Sequence, residues 1–282
     1  MIVYTQMQEE HIIKPVNKFS LNFPELWKYR ELIYFFTWRD IKVKYKQTYL
    51  GVAWVVLQPL FMMLVYTVLF NKILNADSHG VPYPIFVYSG LLLWGLFSSS
   101  LSSTGDSMVS NAGIIKKIYF PRLIIPLSST FTCIFDFCIS LIIYAILLIS
   151  FKIKIDFVLF IFNFPLAFII TLFTSLGLGT LLSALNVKYR DFRYILPFLI
   201  QALFFFTPIV YSGMDAQSKF EYYTWIKFLN PIASAIDLIR APLTGHEIGF
   251  AQILTSLAVS FMIFTLGIVV FRKTEAYFAD LA

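Results

Sequence analysis

Charged residues, cysteines and nucleotide-binding motifs are scarce or missing in this sequence. Only 13% of its 282 residues are charged and 59% are hydrophobic, and a soluble domain cannot bury that much apolar surface. The sequence has no GxxxxGKS/T phosphate-binding loop and no HExxH, GxSxG or paired-cysteine metal motif. These absences exclude a phosphate-loop ATPase and the common hydrolase and zinc sites, and we predict no catalytic residue, metal site or cofactor in this chain.

Cysteine and histidine are too few and too scattered to indicate a metal site. Cys133 and Cys138 lie five positions apart in an apolar run, which favours a packing role over a zinc site or a disulfide framework. The three histidines, His11, His79 and His246, fall in predicted loops or in the amino-terminal tail. That distribution argues against a metal site inside a membrane.

Long stretches with little or no charge divide the chain into six predicted membrane spans. Each is about long enough to cross the hydrocarbon core of a bilayer, and they cover about residues 51–72, 84–109, 123–150, 157–185, 194–211 and 249–271. The fifth directly follows the charged residues Lys188, Arg190, Asp191 and Arg193. We therefore predict an all-α integral membrane protein in which residues 1–50 form a cytosolic tail with an interfacial helix and residues 51–282 form the transmembrane domain.

The distribution of basic residues predicts which ends of the spans face the cytosol. Residues 1–50 hold eight Lys or Arg and no uninterrupted apolar run, so we expect no cleavable signal peptide and a cytosolic amino terminus. With six spans, the cytosolic segments carry 16 basic residues and the outer segments carry six, which agrees with the positive-inside rule. The prediction is a multi-pass protein of the cytoplasmic (inner) membrane with both termini in the cytosol.

Two further segments are apolar but too short or too interrupted to cross a membrane. Pro24–Tyr45 mixes aromatic and basic residues, which predicts an amphipathic helix in the headgroup plane anchored by Trp27 and Trp38. A solvated helix packed on a partner protein is the alternative. Residues 212–248 contain two short apolar pieces separated at Asn230, which predicts a re-entrant helical hairpin between spans five and six. An extracellular loop with two surface helices is the alternative there.

Three segments, in the same order along the chain, resemble a known family. They are WRDIKVKYKQTYLGVAWVVLQPL at Trp38–Leu60, SNAGIIKKIYFPRLIIPL at Ser110–Leu127, and the VKYRDFRYILP and TPIVYS region followed by NPIA at Asn230–Ala233. Together they resemble the membrane permeases of ATP-binding-cassette polysaccharide exporters, which include O-antigen, capsule and teichoic acid exporters. The resemblance runs from about residue 25 to the end of the sequence.

This resemblance implies a transporter subunit and not an enzyme. It implies a homodimer of six-span subunits with the translocation path at their interface, driven by two copies of a separate ABC ATPase subunit that binds ATP and Mg. The substrate it implies is a polyprenyl-diphosphate-linked polysaccharide of O-antigen type, moved from the cytosol across the cytoplasmic membrane during lipopolysaccharide biosynthesis. Membrane lipid is the other expected partner, and nucleic acid is not expected.

The resemblance also implies a surface for the ATPase. In such permeases the ATPase contacts lie in the amino-terminal helix and in the loop between the second and third spans. In this sequence they correspond to Trp27, Arg30, Lys116, Lys117 and Tyr119. The alternative for the loop is a positively charged turn that only fixes the topology.

Substrate chemistry suggests two further groups of residues. A diphosphate needs cations at the cytosolic entrance, and the candidates are Arg39, Lys42, Lys44, Arg190 and Arg193.

The predicted translocation path and outer gate contain Asp136, Phe204, Tyr222, Tyr223, Trp225 and Asn230. Of the three consecutive rings Phe204–Phe206, at most one or two line a path, because the run covers most of a helix circumference.

Asp136 is a carboxylate inside the third predicted span and needs a partner. At ~1.5 Å per residue it lies roughly 20 Å from the start of the span at Leu123, close to mid-bilayer. An unpaired carboxylate there costs at least ~2.5 kcal/mol. Thr132 and Ser140 share its helix face and could donate hydrogen bonds to it, unless the carboxylate faces a cavity. A role at a helix interface is favoured, and a role in translocation or protonation stays open.

Three alternative functions remain open. A related permease would export a small lipid or a drug. A membrane-embedded glycosyl- or phosphotransferase would use Asp106, Asp136, Asp215 or Asp237, but no two of these carboxylates are spaced as an evident acid–base pair or metal clamp. A scaffold without a transport role leaves the predicted re-entrant segment unexplained.

Overall fold

The computed structural model describes residues 23–46, 51–73, 76–189, 191–212, 228–246 and 248–275. These residues form helices and no β-strand, which confirms the all-α class. In chain order the helices are α1 (Phe23–Lys28), α2 (Arg30–Lys46), α3 (Ala53–Tyr66), α4 (Tyr83–Ser110), α5 (Ala112–Ile115), α6 (Ile124–Ser150), α7 (Phe157–Lys188), α8 (Phe192–Phe206), α9 (Pro231–Thr244) and α10 (Phe250–Thr274). A π-helical stretch, Thr67–Ile73, continues α3.

Five helices among the described residues are long and apolar enough to cross a membrane. They are α3 with its π-helical extension, α4, α6, α7 and α10, and they coincide with predicted spans one to four and six. The predicted fifth span differs, because α8 has 15 residues and ends at Phe206. Thr207 has extended backbone angles, as expected before a proline, and Pro208 has no backbone N–H to donate the next helical hydrogen bond. The count of six spans therefore stays a prediction.

The centre of the bundle is α4, which is buried along most of its length and packs against α7 and α6. Small residues allow this packing. In the sequence, Ser175, Gly179 and Ser183 repeat every four residues, which predicts close helix approach, and the structure confirms it. A Cβ atom at Gly179 would lie 2.7 Å from the Cβ atom of Thr104 on α4. α10 crosses α7 in the same way, with Gly177 at the crossing.

One end of the bundle, where α4, α7 and α10 end and α6 begins, is called the basic end. It is named for Lys116, Lys117, Arg122, Lys188 and Arg272. α1 and α2 join this end through a buried apolar cluster whose members include Leu26, Phe36, Phe120 and Phe271. The opposite end is called the far end. That the basic end faces the cytosol stays a prediction.

α2 runs parallel to the first half of α6. Thr37 Oγ1 donates to the carbonyl oxygen of Ser128 at 3.4 Å, and eight residues further along both helices the Tyr45 hydroxyl donates to Asp136. The rings of Tyr45 and Phe135 lie 6.3 Å apart. α2 leaves several of its aromatic rings exposed. Its position in the headgroup plane stays a prediction.

The far end contains α9, which belongs to the second half of the predicted re-entrant segment. Asn230 caps its start by accepting hydrogen bonds from two α9 amides at 3.1 and 3.4 Å. The helix ends at Gly245, whose φ of 69° favours glycine. Of its 14 residues, 11 are buried, mainly against α7. Such burial is typical of a helix inserted among others and disfavours a helix lying on the surface, whereas the hairpin as a whole stays a prediction.

Candidate functional site

A groove of about 1010 Å³ lies between α3, α4, α6 and α8. It extends from Lys44 and Gly51, close to the start of α3, to Tyr211 in the segment after α8. Its lining is mainly apolar. Aromatic side chains line it along its length, and they include Trp54, Tyr66, Phe70, Trp94, Phe204 and Tyr211. This groove is the candidate functional site.

Phe204 lies at the centre of an aromatic cluster in the groove. Its ring stacks on Tyr66 at a centroid distance of 5.7 Å and meets Trp94 edge-on at 5.5 Å. Phe205 lies 5.7 Å away and also lines the groove, whereas Phe206 does not. Flat aromatic faces of this kind offer a stacking surface to the CH groups of a sugar ring. The geometry agrees with one or two of the three rings lining a path, and that path stays a prediction.

Asp136 lines the groove and is bound from α2. Lys44 Nζ lies 2.5 Å from Asp136 Oδ2, and the Tyr45 hydroxyl donates to Oδ1. The suggestion that Thr132 and Ser140 would bind this carboxylate was wrong, because its partners come from α2. Thr132 Oγ1 donates to a carbonyl of its own helix at 3.1 Å, and a charged donor from α2 binds a carboxylate more strongly than a hydroxyl does. Asp136 therefore joins two helices and faces the groove at once.

The hydroxyl of this cluster is held in its neutral form, and the cation of the cluster is more exposed than the carboxylate. Burial, and then the hydrogen bond to Asp136, raises the pKa of the Tyr45 hydroxyl above its usual value of 10.0. Tyr45 therefore stays a neutral hydrogen-bond donor at physiological pH. The side chain of Lys44 is 47% exposed and that of Asp136 is 14% exposed, so the cation is the more accessible partner.

The other entrance cations that the structure describes do not line the groove. Arg39 is held by a carboxylate oxygen at 2.7 Å and an amide oxygen at 2.8 Å. Lys42 Nζ lies 5.0 Å from the centroid of an indole ring on its own helix, and Arg193 is exposed at the start of α8. Arg190 lies outside the described residues. Of the four described candidates, the structure brings Lys44 alone to the groove.

The sequence model of the ABC-2 type transporter family matches residues 31–244. The chain belongs to this family. The O-antigen export system permease protein RfbA of Myxococcus xanthus is 29% identical over 257 residues, which cover 91% of this chain and 97% of the relative. The RfbA protein of Klebsiella pneumoniae is 28% identical over 251 residues, with coverages of 89% and 95%. The polysialic acid transport protein KpsM of Escherichia coli is 22% identical over 248 residues, with coverages of 84% and 91%.

Membership of this family confirms the resemblance seen in the three sequence segments. ABC-2 transporter permeases are multi-pass membrane proteins of the inner membrane, and they are not enzymes themselves.

The carboxylates considered for an enzyme have other neighbours. Asp106 accepts a hydrogen bond from the Asn186 amide at 3.2 Å, and Asp237 accepts one from the Gln252 amide at 3.3 Å. Asp215 lies outside the described residues.

In this ABC-2 transporter the predicted ATPase-contact residues lie at the basic end. Lys116, Lys117 and Tyr119 form an exposed turn around a small polar cavity of about 260 Å³. Trp27 is exposed on α1, and the guanidinium of Arg30 lies 5.5 Å from its ring centroid. Both segments are fixed to the bundle through one buried cluster. The geometry leaves these side chains accessible, and their contact with an ATPase stays a prediction.

Sequence reasoning missed Arg240, a buried arginine on α9 in this transporter. Its side chain donates to the carbonyl oxygens of Phe86, Pro208 and Ile209 at 3.0, 2.8 and 2.6 Å and to Ser89 Oγ at 3.3 Å. The guanidinium also lies 3.6 Å from the centroid of the Phe86 ring. Arg240 thus fastens the segment after α8 to the first turns of α4. An arginine inside a predicted apolar piece was the signal in the sequence.

Gly90 and Asn230 also contribute to the far end of the transporter. A Cβ atom at Gly90 would lie 2.8 Å from Arg240 Nη2 and 2.9 Å from the carbonyl oxygen of Ile209. Asn230, a predicted gate residue, donates to Thr207 Oγ1 at 2.9 Å in addition to capping α9. Its role in a gate stays a prediction. The other predicted gate residues lie outside the described residues: Tyr222, Tyr223 and Trp225.

Proposed function

We propose that this ABC-2 transporter is the membrane subunit of an ATP-driven exporter that moves a lipid-linked polysaccharide of O-antigen type from the cytosol across the cytoplasmic membrane. Relatives that are O-antigen export permeases over nearly the whole length of the chain support this substrate class. ATP and Mg would bind to a separate ABC ATPase subunit, because this sequence has no phosphate-binding loop.

The aromatic groove is the observation that carries this proposal. A long sugar polymer needs a continuous surface along which successive rings are stacked and released, and a groove lined by rings offers one. α3 and α8 leave large apolar side chains exposed beside the groove. A second copy of the chain, related by a two-fold axis, would cover these faces and join two grooves into one channel. We therefore propose a homodimer with the path at its interface.

The export role is tested by deleting the gene in its host and following the polysaccharide. We expect surface polysaccharide to disappear and lipid-linked polymer to accumulate in the cytoplasmic membrane, and the wild-type gene to restore export. An ABC ATPase should co-purify with the restored protein. Normal surface polysaccharide in the deletion strain would contradict the proposal, as would substrate turnover by the purified chain alone.

Coupling to the ATPase is tested at the basic end. Charge reversal by Lys116→Glu together with Lys117→Glu should lower substrate-stimulated ATP hydrolysis of the reconstituted complex, because the exposed turn loses its charge complementarity to the partner. Lys152→Glu together with Lys154→Glu, in the loop between α6 and α7 at the far end, is the matched control. Equal hydrolysis in the two double variants would remove the turn from the ATPase contact.

The mainly apolar lining of the groove also suits export of a small lipid or drug. The deletion strain separates the two functions. A small-lipid exporter predicts normal surface polysaccharide together with retention of a lipid or increased drug sensitivity, and both are measurable in the same cultures.

A further inference from the structure

The groove contains one oppositely charged pair among its described lining residues, Lys44 and Asp136. Lys44 Nζ lies 2.5 Å from the carboxylate, and the Tyr45 hydroxyl donates to the other carboxylate oxygen. Asp136 is the twelfth residue after the start of α6, which places the pair about 18 Å along that helix from the basic end. A cation and a hydroxyl donor therefore lie about halfway along α6, at the end of the groove that Lys44 and Gly51 line.

The accessible side of the pair is the cation. Lys44 is 47% exposed, whereas Asp136 is 14% exposed. An ammonium group carries three donors, so one carboxylate contact does not exhaust it. Tyr45 adds a neutral hydroxyl donor that stays protonated. Together the two side chains offer what a compact anion requires, namely a positive charge and convergent hydrogen-bond donors.

We propose that Lys44 and Tyr45 form a binding site for a phosphate or diphosphate group, and that the Asp136 carboxylate occupies this site in the present structure and is exchanged for the incoming anion. The exchange is physically reasonable because a diphosphate carries more negative charge and more acceptor oxygens than a carboxylate. Asp136 keeps the lysine neutralised inside an apolar groove whenever no other anion is bound. The identification of this anion with a lipid-linked polysaccharide rests on the proposed function.

The exchange would also act on the helices that carry the site. Lys44 and Tyr45 belong to α2, and Asp136 belongs to α6. Displacing the carboxylate removes two side-chain contacts between these helices, and α2 is continuous with the region packed at the basic end. Binding of the anion and the position of α2 are therefore linked.

The site is tested with the full-length chain in nanodiscs of zwitterionic phosphatidylcholine. Farnesyl diphosphate is the probe, farnesol is its uncharged analogue, and inorganic pyrophosphate is the free anion. Trp54 and Trp94 line the groove, so binding is followed by tryptophan fluorescence. Asp136→Asn removes the competing carboxylate and should tighten farnesyl diphosphate binding about fivefold. Lys44→Met should weaken it about tenfold, Lys44→Arg should retain it, and farnesol binding should not change.

A matched control uses Lys46, which is exposed on the same helix and does not line the groove. Lys46→Met should bind farnesyl diphosphate as the wild type does. If pyrophosphate competes with farnesyl diphosphate, the site also binds the free anion. If pyrophosphate does not compete, the site requires a diphosphate that is attached to a lipid. Equal binding of farnesol and farnesyl diphosphate would overturn the site.

Unchanged or weaker probe binding in Asp136→Asn would identify the pair as a structural tie and overturn the proposal. If Asp136→Asn does not insert into the membrane, the two Lys44 variants test the site instead. Equal affinity of Lys44→Met and the wild type for farnesyl diphosphate would then overturn the proposal. The export assay separates this proposal from the proposed function. Loss of probe binding with intact polysaccharide export overturns the site alone, and tight probe binding without a polysaccharide phenotype overturns the proposed substrate alone.

Discussion

The groove and the far end each place one cation in apolar surroundings, but the two cations have different partners. Lys44 is 47% exposed and pairs with a side-chain carboxylate. Arg240 is 4% exposed and donates to three backbone carbonyl oxygens. A carboxylate on a rotatable side chain can be exchanged for another anion, whereas backbone carbonyls are held in place by their helices and flanking turns. The comparison indicates reversible contacts in the groove and a fixed structure at the far end.

Removing the arginine should give the largest effect. Arg240→Met takes the donors away from three buried carbonyls, and we expect a loss of about 3 kcal/mol in the free energy of unfolding, since hydrogen bonds to charged groups are the strong ones. Thermal unfolding of the purified transporter in detergent measures the change. Arg193→Met replaces an exposed arginine and is the control. Equal melting temperatures for the two variants would contradict a fixed far end.

Filling the space beside the arginine should have the next largest effect. Gly90→Ala places a methyl group against Arg240 and the carbonyl of Ile209, and overpacking of this kind costs about 1–3 kcal/mol. Gly95 is the matched control on the same helix, because no atom of the described residues lies within 4 Å of its added Cβ. Gly95→Ala should be neutral or stabilising, since glycine is a poor helix former. A smaller loss from Gly90→Ala than from Gly95→Ala would overturn the comparison.

The cap of α9 should contribute less than either of these. Asn230→Ala removes the side-chain oxygen that accepts from two amides and the donor to Thr207. A lost cap costs about 1 kcal/mol, measured again by thermal unfolding. Asn230→Ser, which retains a capping oxygen, should recover most of the loss. If serine behaves like alanine, the contact with Thr207 and not the cap stabilises this turn.

The ion pair in the groove should contribute least to stability. Because half of Lys44 is exposed and solvent screens its charge, a double-mutant cycle with Lys44→Met and Asp136→Asn should give a coupling of about 1 kcal/mol or less. Chemical or thermal unfolding of the four proteins measures it. A coupling energy as large as the loss expected for Arg240→Met would mean that this pair is a permanent structural contact. The groove and the far end would then not differ in this respect.

The sequence alone is sufficient for features that depend on neighbours along one helix. The first four predicted spans and the sixth correspond to α3, α4, α6, α7 and α10. The repeat of small residues around Gly179 correctly predicted close packing. The resemblance of three segments predicted the family. Pro208 also indicates the early end of α8 in the sequence, but the uncharged stretch by itself predicts one span, because hydrophobicity does not report where a helix stops.

Contacts between distant helices could not be predicted in this way. Lys44 and Asp136 are 92 positions apart, and each was assigned a role from its own surroundings. Neither helix periodicity nor depth in a membrane indicates which helix lies next to which. Arg240 was overlooked for the same reason, since its acceptors belong to α4 and to the segment after α8. The groove is assembled from such contacts, so its lining required the structure.

The crossing of α7 and α10 at Gly177 has a mechanical consequence. An added Cβ atom there would lie 2.6 Å from the Cα atom of Phe264, so the two backbones touch and cannot separate without losing dense contact along the crossing. We therefore expect α4, α7 and α10 to move together as one rigid group. α3 and α8 each bury a single residue, Met63 and Leu196, and tilting them breaks the fewest contacts. Of the helices that line the groove, α4 belongs to the tightly packed group and α3 and α8 do not, so we expect a change in groove width to come mainly from α3 and α8.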